Sequence, residues 1–266
     1  MFALPFAYVG AFLAVDGWPG LEAMGWITLA MAGARTLAMG VNRLVDAELD
    51  ARNPRTASRE LPAGVLTRGQ VVALCVLAGA AYLLAVFNLA PVVRWLWPIP
   101  VVLFVVYPYL KRVTWLCHVW LGAALGLAPV GAWVALTGSL PWQPWVLGLA
   151  VCAWVAGFDL FYSLLDLEHD RSVGLRSWAT RFGVRGVFTG ARAMHVATVL
   201  LLAIAGAGLA VGGWYWAGVA AVALLLGYEH SIVRPGDLRR LDAAFFTVNG
   251  VLSVVFATFV ALDTLL

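Results

Sequence analysis

Apolar segments long enough to cross a lipid bilayer recur from one end of this chain to the other, and that repetition restricts its possible folds more than any other feature. They fall at roughly 2–16, 22–42, 69–88, 92–109, 115–137, 143–165, 191–211, 214–230 and 241–263. Inside hydrocarbon a chain must satisfy its own backbone hydrogen bonds, and segments of this length do so as helices. The expected fold is all-α: a polytopic membrane protein of nine transmembrane helices, one integral membrane domain over residues 1–266. With 63% hydrophobic and 12% charged residues and a mean hydropathy of +0.90, the chain lacks the polar surface to wrap these segments as a soluble domain. No cleavable signal peptide is expected, because Met1 runs straight into Phe2, Ala3 and Leu4 without a basic leader, which leaves a short first span. Cys75, Cys117 and Cys152 all sit in apolar runs and give neither a disulfide framework nor a zinc pattern.

Charge is distributed unevenly. Of the seventeen basic residues, five lie in 42–68, two in 109–114, five in 166–192 and three in 229–240. Nine spans put all four segments on one side, which the excess of Lys and Arg assigns to the cytoplasm. Residue 1 is then inside and Leu266 outside. Trp18, Trp95, Trp97, Trp142, Trp145, Trp214 and Trp216 gather at the other surface as an aromatic belt.

Two acidic stretches stand out against this background. Asp46 and Asp50 follow Asn42 at the end of the second span, and Asp166 and Asp170 end the sixth. In each pair the spacing of four puts both carboxylates on one helical face. The pairs lie 120 residues apart, each followed by an arginine-rich loop, which suggests an internal pseudo-repeat centred on 42–50 and 166–170. Helical phase extends both faces into the membrane, through Arg35 in one case and Asp159 with Tyr162 or Ser163 in the other. Charges at that depth face a partner or a cavity. Arg35 and Asp159 therefore either pair with each other or line a polar cavity below the aspartates; the cavity is the favoured reading.

Clustered carboxylates need cations, and an all-oxygen set suits Mg²⁺, which keeps some waters and bridges to phosphate. Arginines beside them suit phosphate oxygens. Together they point to chemistry on a diphosphate whose other end is a hydrocarbon dissolved in the membrane lipid. Nothing in the pattern calls for nucleic acid or an obligatory protein partner. Glu48 and Glu168 fall off the aspartate faces and are expected at the surface or behind the ligands as supports. His118, His195 and His230 read as structural, and the phase of His169 points it away from both aspartates beside it.

The chain resembles the UbiA superfamily of intramembrane prenyltransferases. The resemblance rests on Asn42 to Asp50, on Asp159 to Asp170, on Asn53 to Gly64, on Tyr107 to Arg112 and on Gly174 to Ser177. It implies nine helices around a central cavity and the joining of an allylic prenyl diphosphate to an aromatic or other lipophilic acceptor. It also implies that Asp46, Asp50, Asp166 and Asp170 hold Mg²⁺ and diphosphate, with Asn42 contacting either. Arg55, Arg59, Lys111 and Arg112 would contact diphosphate, while Asp159 and Tyr162 would line the cavity, touching acceptor or stabilising cationic charge. Arg35 or a loop arginine would meet an acceptor carboxylate. Arg43 and Glu60 stand where many 4-hydroxybenzoate enzymes have Asp and Pro, which brings the chain nearer a bacterial subgroup that includes menaquinone-pathway proteins. The acceptor is then a 4-hydroxybenzoate or naphthoate-type quinone precursor, the alternatives being a non-aromatic lipid alcohol or, in another class altogether, an ion- or proton-coupled transporter.

Overall fold

The computed structural model describes residues 3–234, 241 and 244–266. Eleven helices are described: α1 Ala3–Val15, α2 Leu21–Arg52, α3 Arg68–Phe87, α4 Val93–Leu96, α5 Pro98–Val113, α6 Cys117–Thr137, α7 Trp142–Tyr162, α8 Leu167–Ser172, α9 Trp178–Ala207, α10 Gly213–Ile232 and α11 Asn249–Leu265. The expected spans fall on α1, α2, α3, α4 with α5, α6, α7, α9, α10 and α11, the fourth thus divided between two helices and the ninth including residues 242 and 243, which lie outside the described residues. Among the described residues six helical stretches are long and apolar enough to cross a membrane: Arg68–Phe87, Val93–Val113, Cys117–Thr137, Trp142–Ser172, Trp178–Ala207 and Phe246–Leu265. α1 is apolar but shorter. α2 has 32 residues, about 48 Å of helix at ~1.5 Å per residue, but carries Arg35 and the first acidic stretch within it.

α2 continues through Arg52, as the helical face of Asp46 and Asp50 requires, and the loop after it runs to Thr67. Much of the second expected loop is helical instead: α9 begins at Trp178 rather than near 191, so Arg181, Arg185 and Arg192 stand on a helix. A capping box starts α9: the Ser177 hydroxyl accepts from the Thr180 amide while the Thr180 hydroxyl accepts from the Ser177 amide. Gly183, at φ 67° and ψ −176°, kinks this helix one turn in. The second acidic stretch also departs from a straight helix. Ser163–Asp166 forms a 3₁₀ turn between α7 and α8, which breaks the simple phase from Asp159 to Asp170. Of the fourth basic segment, Arg239 and Arg240 lie outside the described residues.

The main core joins α1, α7, α10 and α11 through Phe6, Val9, Trp154, Tyr215, Leu252 and Phe256. A buried polar chain runs through it: Trp154 Nε1 donates to Asn249 Oδ1 at 2.7 Å, and Asn249 Nδ2 donates to Glu229 Oε1 at 3.2 Å. Nearby, His195 Nδ1 and His230 Nε2 lie 3.0 Å apart, so these two histidines, read as structural, share a hydrogen bond. Trp18, Trp142, Trp145, Trp214 and Trp216 are exposed just before or at the starts of α2, α7 and α10, the helix ends remote from the aspartates.

Glycine sets the spacing at the α6–α7 seam. A Cβ on Gly126 would stand 2.4 Å from the Gly148 carbonyl oxygen, and one on Gly122 2.3 Å from that of Cys152. The two backbones are therefore in direct contact, as small residues permit in membrane bundles. Gly131, on the same helix, has open space around it. Gly126→Val should lower the thermal midpoint of the purified protein by roughly 5 °C through overpacking, whereas Gly131→Ala should leave it unchanged. Equal effects in a melting assay would contradict this account of the seam.

Candidate active site

The ends of α2, α5 and α7 and the segments that follow them converge at one end of the bundle. Asp46 and Asp50, one turn apart on α2, are only 2% and 6% exposed. Burial of two like charges so close together requires compensation. Asp46 receives it from the end of α5: Lys111 Nζ donates to Oδ2 at 2.5 Å and Arg112 Nη2 to Oδ1 at 3.1 Å. Asn42 Nδ2, one turn below, adds a contact to Asp46 Oδ2 at 3.3 Å. Asp50 Oδ1 accepts from Arg59 Nη1 at 2.7 Å. The other oxygen, Asp50 Oδ2, is buried with no hydrogen-bond partner.

The segment after α2 turns back on itself and clamps the second acidic stretch. Asn53 Nδ2 donates to Asp166 Oδ1 at 2.7 Å, and Arg55 Nε donates to the same oxygen at 2.8 Å. Arg55 Nη2 closes the fork on Asp166 Oδ2, while Nη1 donates to the Tyr162 hydroxyl at 2.9 Å. The Asn53 side-chain oxygen in turn accepts from the Arg55 amide at 3.0 Å, which orients the loop. Burial disfavours the charge on Arg55, yet its bonds to Asp166 hold its pKa above the ordinary guanidinium value. A two-pronged Arg–carboxylate contact of this kind is among the stronger polar interactions. It ties together residues more than a hundred positions apart.

Asp170 completes the acidic group. It lies within electrostatic reach of Asp166, Lys111 and His118, and among the described residues no ion pair closes on it. Tyr107, on α5, feels the charge of both Asp46 and Asp159. Arg176, whose amide donates to the Lys111 carbonyl at 2.6 Å, fixes the turn after α5 against the start of α9.

Arg35 and Asp159 do not pair. Asp159 Oδ2 instead lies 2.6 Å from His118 Nδ1, and Arg35 is exposed. Packing explains the difference, since α2 lies mainly on α3 and α5 whereas α7 lies on α6 and α9. His118 was expected to be structural, and its partner stands 41 positions away with no spacing signal to link them. Glu48 is exposed and only loosely associated with Arg68, at 3.9 Å.

Among the described residues, no three Asp, Glu, His or Cys side chains converge on a point that could hold a metal ion. The donor chemistry nonetheless suits Mg²⁺: four carboxylates and an amide oxygen, one buried carboxylate oxygen without a partner, and Asp170 without an ion pair. Lysine and arginines occupy the positions that a divalent ion would otherwise neutralise.

A bundle of apolar helices with carboxylates and guanidinium groups interlocked at one mouth defines an integral membrane protein built to handle a charged head on a greasy tail. The chain matches the UbiA prenyltransferase family over residues 3–251 and belongs to that family; it is a prenyltransferase. It is 32% identical over 257 residues to a 4-hydroxybenzoate octaprenyltransferase of Methylobacillus flagellatus, covering 96% of this chain and 86% of the relative. With the Vibrio cholerae serotype O1 protein of the same name it is 31% identical over 242 residues, 89% and 83% of the two chains. The apo structure of a UbiA homolog from Aeropyrum pernix K1 superposes with a TM-score of 0.90 at 31% identity, over 99% of this chain and 97% of that one. A UbiA homolog from Archaeoglobus fulgidus bound to DMAPP and Mg²⁺ shares the fold, with a TM-score of 0.78 at 17% identity, over 99% and 94%.

Replacing Arg55 by Ala removes the fork from Asp166 and leaves that carboxylate to Asn53 alone. The cost should be about 1–2 kcal/mol in the ligand-free protein, the lower part of the range for charged hydrogen bonds, because Arg55 is partly exposed. Chemical denaturation in detergent measures it, and a stability equal to wild type would show that the clamp contributes nothing to the resting fold.

Proposed function

We propose that this prenyltransferase moves a polyprenyl group from an allylic prenyl diphosphate to an aromatic quinone precursor, a 4-hydroxybenzoate or naphthoate-type acid, and releases diphosphate in a Mg²⁺-dependent reaction. The observation that carries the proposal is the clamp of Asn53 and Arg55 on Asp166, which closes both acidic stretches around one basic mouth. The octaprenyltransferase names of the relatives support the aromatic acceptor, and the Archaeoglobus homolog with DMAPP and Mg²⁺ supports the donor.

Asp46, Asp50, Asp166 and Asp170, with Asn42, would hold Mg²⁺, which when bound would neutralise charge gathering on the departing diphosphate. Lys111, Arg112, Arg59 and Arg55 rest on the carboxylates in the ligand-free protein. With diphosphate present they turn to its oxygens and stabilise it as a leaving group in a site poor in water. Below the mouth, apolar walls receive the prenyl chain and keep water from the allylic cation. The Tyr162 ring, over which Arg55 now lies at 5.1 Å, offers its face to that cation once the guanidinium moves to phosphate. Asp159 faces the acceptor, and Arg35 meets the acceptor's carboxylate. Nine helices span the bilayer, with the mouth on the cytoplasmic side.

Asp166→Asn should lower kcat/KM roughly 100-fold, the scale for losing one preorganised charge-stabilising group, with the fold retained. Diphosphate release measured across a Mg²⁺ titration is the assay, and unchanged turnover at limiting Mg²⁺ would reject the site. Arg35→Ala should raise KM for the aromatic acid at least 10-fold, the loss of about one charged hydrogen bond, while KM for prenyl diphosphate stays put. Incubation of the protein in lipid with prenyl diphosphate, Mg²⁺ and a panel of aromatic acids, with products identified by mass, tests the whole proposal. Product only from a lipid alcohol would overturn the choice of acceptor.

A further inference from the structure

His118 opens the first turn of α6 and is buried to 5% exposure, held at both ring nitrogens. The Trp178 backbone amide, at the start of α9, donates to Nε2 at 3.4 Å. A nitrogen that accepts a hydrogen bond carries no proton, so the ring proton sits on Nδ1 and is donated to Asp159 Oδ2 at 2.6 Å. The imidazole thus joins three helices and fixes the orientation of one carboxylate. Asp159 retains 14% side-chain exposure, and no hydrogen bond reaches its Oδ1 among the described residues. Asp159 stands near the end of α7, seven residues before Asp166, and so about two turns from the clamped carboxylate. The glycine contacts at Gly122 and Gly126 set this geometry, because they bring the α6 and α7 backbones together just beyond His118.

We propose that His118 is a positioning residue for Asp159: it occupies Oδ2, fixes the carboxylate plane and leaves Oδ1 as the base that completes ring prenylation. The inference rests on the proposed aromatic acceptor. In the reaction a ring carbon forms a bond to the allylic carbon, and the carbon–oxygen bond to diphosphate breaks with its electron pair on the departing oxygen. The substituted ring carbon then gives its proton to Asp159 Oδ1, its C–H pair restores aromaticity, and Asp159 passes the proton to water at the mouth. His118 keeps its own proton throughout. An oriented carboxylate is a better base than a mobile one for the same reason that orienting partners matter to other catalytic groups.

Three variants of the full chain in lipid, assayed with prenyl diphosphate, Mg²⁺ and the aromatic acid, test this. His118→Ala should lower kcat roughly 10- to 100-fold, the range for lost orienting partners, with an unchanged KM for prenyl diphosphate. His118→Asn puts an amide N–H where Nδ1 stood but cannot accept from Trp178, and it should recover most of the lost kcat. Equal losses in the Ala and Asn variants would make the residue a structural tie between helices and overturn the proposal, as would a loss that follows the melting temperature. Asp159→Asn separates this inference from the reading beneath it. Full turnover in Asp159→Asn removes the base and the proposal together, whereas an inactive Asp159→Asn beside a fully active His118→Ala overturns only the role of His118.

Discussion

Carboxylates at the rim of an apolar bundle repel one another and lose hydration, and the rest of the structure depends on how that double penalty is met. Asp46 is met by Lys111 and Arg112 at the end of α5, while Asp50 and Asp166 are met by Arg59 and Arg55 of the one loop between α2 and α3. For Asp46 and Asp166 the partners are distant along the chain, and the same contacts that neutralise those charges also draw the helix ends together. A site of this kind is assembled by its own electrostatics. Removing a partner exposes a buried charge and loosens a helix end at once.

Much of this was legible in the sequence, for identifiable reasons. Spacing of four on a helix is a local property, so the Asp46–Asp50 pair could be read directly, and the basic residues near it signalled anion chemistry. The clustering of basic segments also located the mouth, since Lys111, Arg112, Arg55 and Arg59 all lie in segments assigned to one side. Helix ends were less legible. Hydropathy marks where a helix is greasy rather than where it stops, so α2 and α9 run past their apolar stretches into charged sequence. For α9 a local signal existed in Ser177 and Thr180, the pair that caps it.

Long-range pairing was the part that residues alone left open. Arg35 and Asp159 are opposite charges at similar depth, and nothing local distinguishes a mutual pair from two separate roles. The choice turns on which helices are neighbours, and that depends on glycines at 122, 126 and 148 whose effect is to let α6 and α7 touch. Once those helices touch, His118 lies nearer to Asp159 than any of the described arginines does. The Asn53 bridge was similarly out of reach, because an asparagine in a loop carries no mark of the carboxylate it will find 113 positions later.

The 3₁₀ turn at Ser163–Asp166 separates two parts of one continuous stretch. A 3₁₀ helix advances by about 120° per residue against about 100° in an α-helix, so Asp166 and Asp170 are turned around the axis relative to Asp159 and Tyr162. The turn acts as a joint. On the proposed reading, in which the lower segment meets the acceptor, substitutions there can accumulate without reorienting the carboxylates above it. A lineage could in this way diversify its products while its handling of diphosphate stayed fixed.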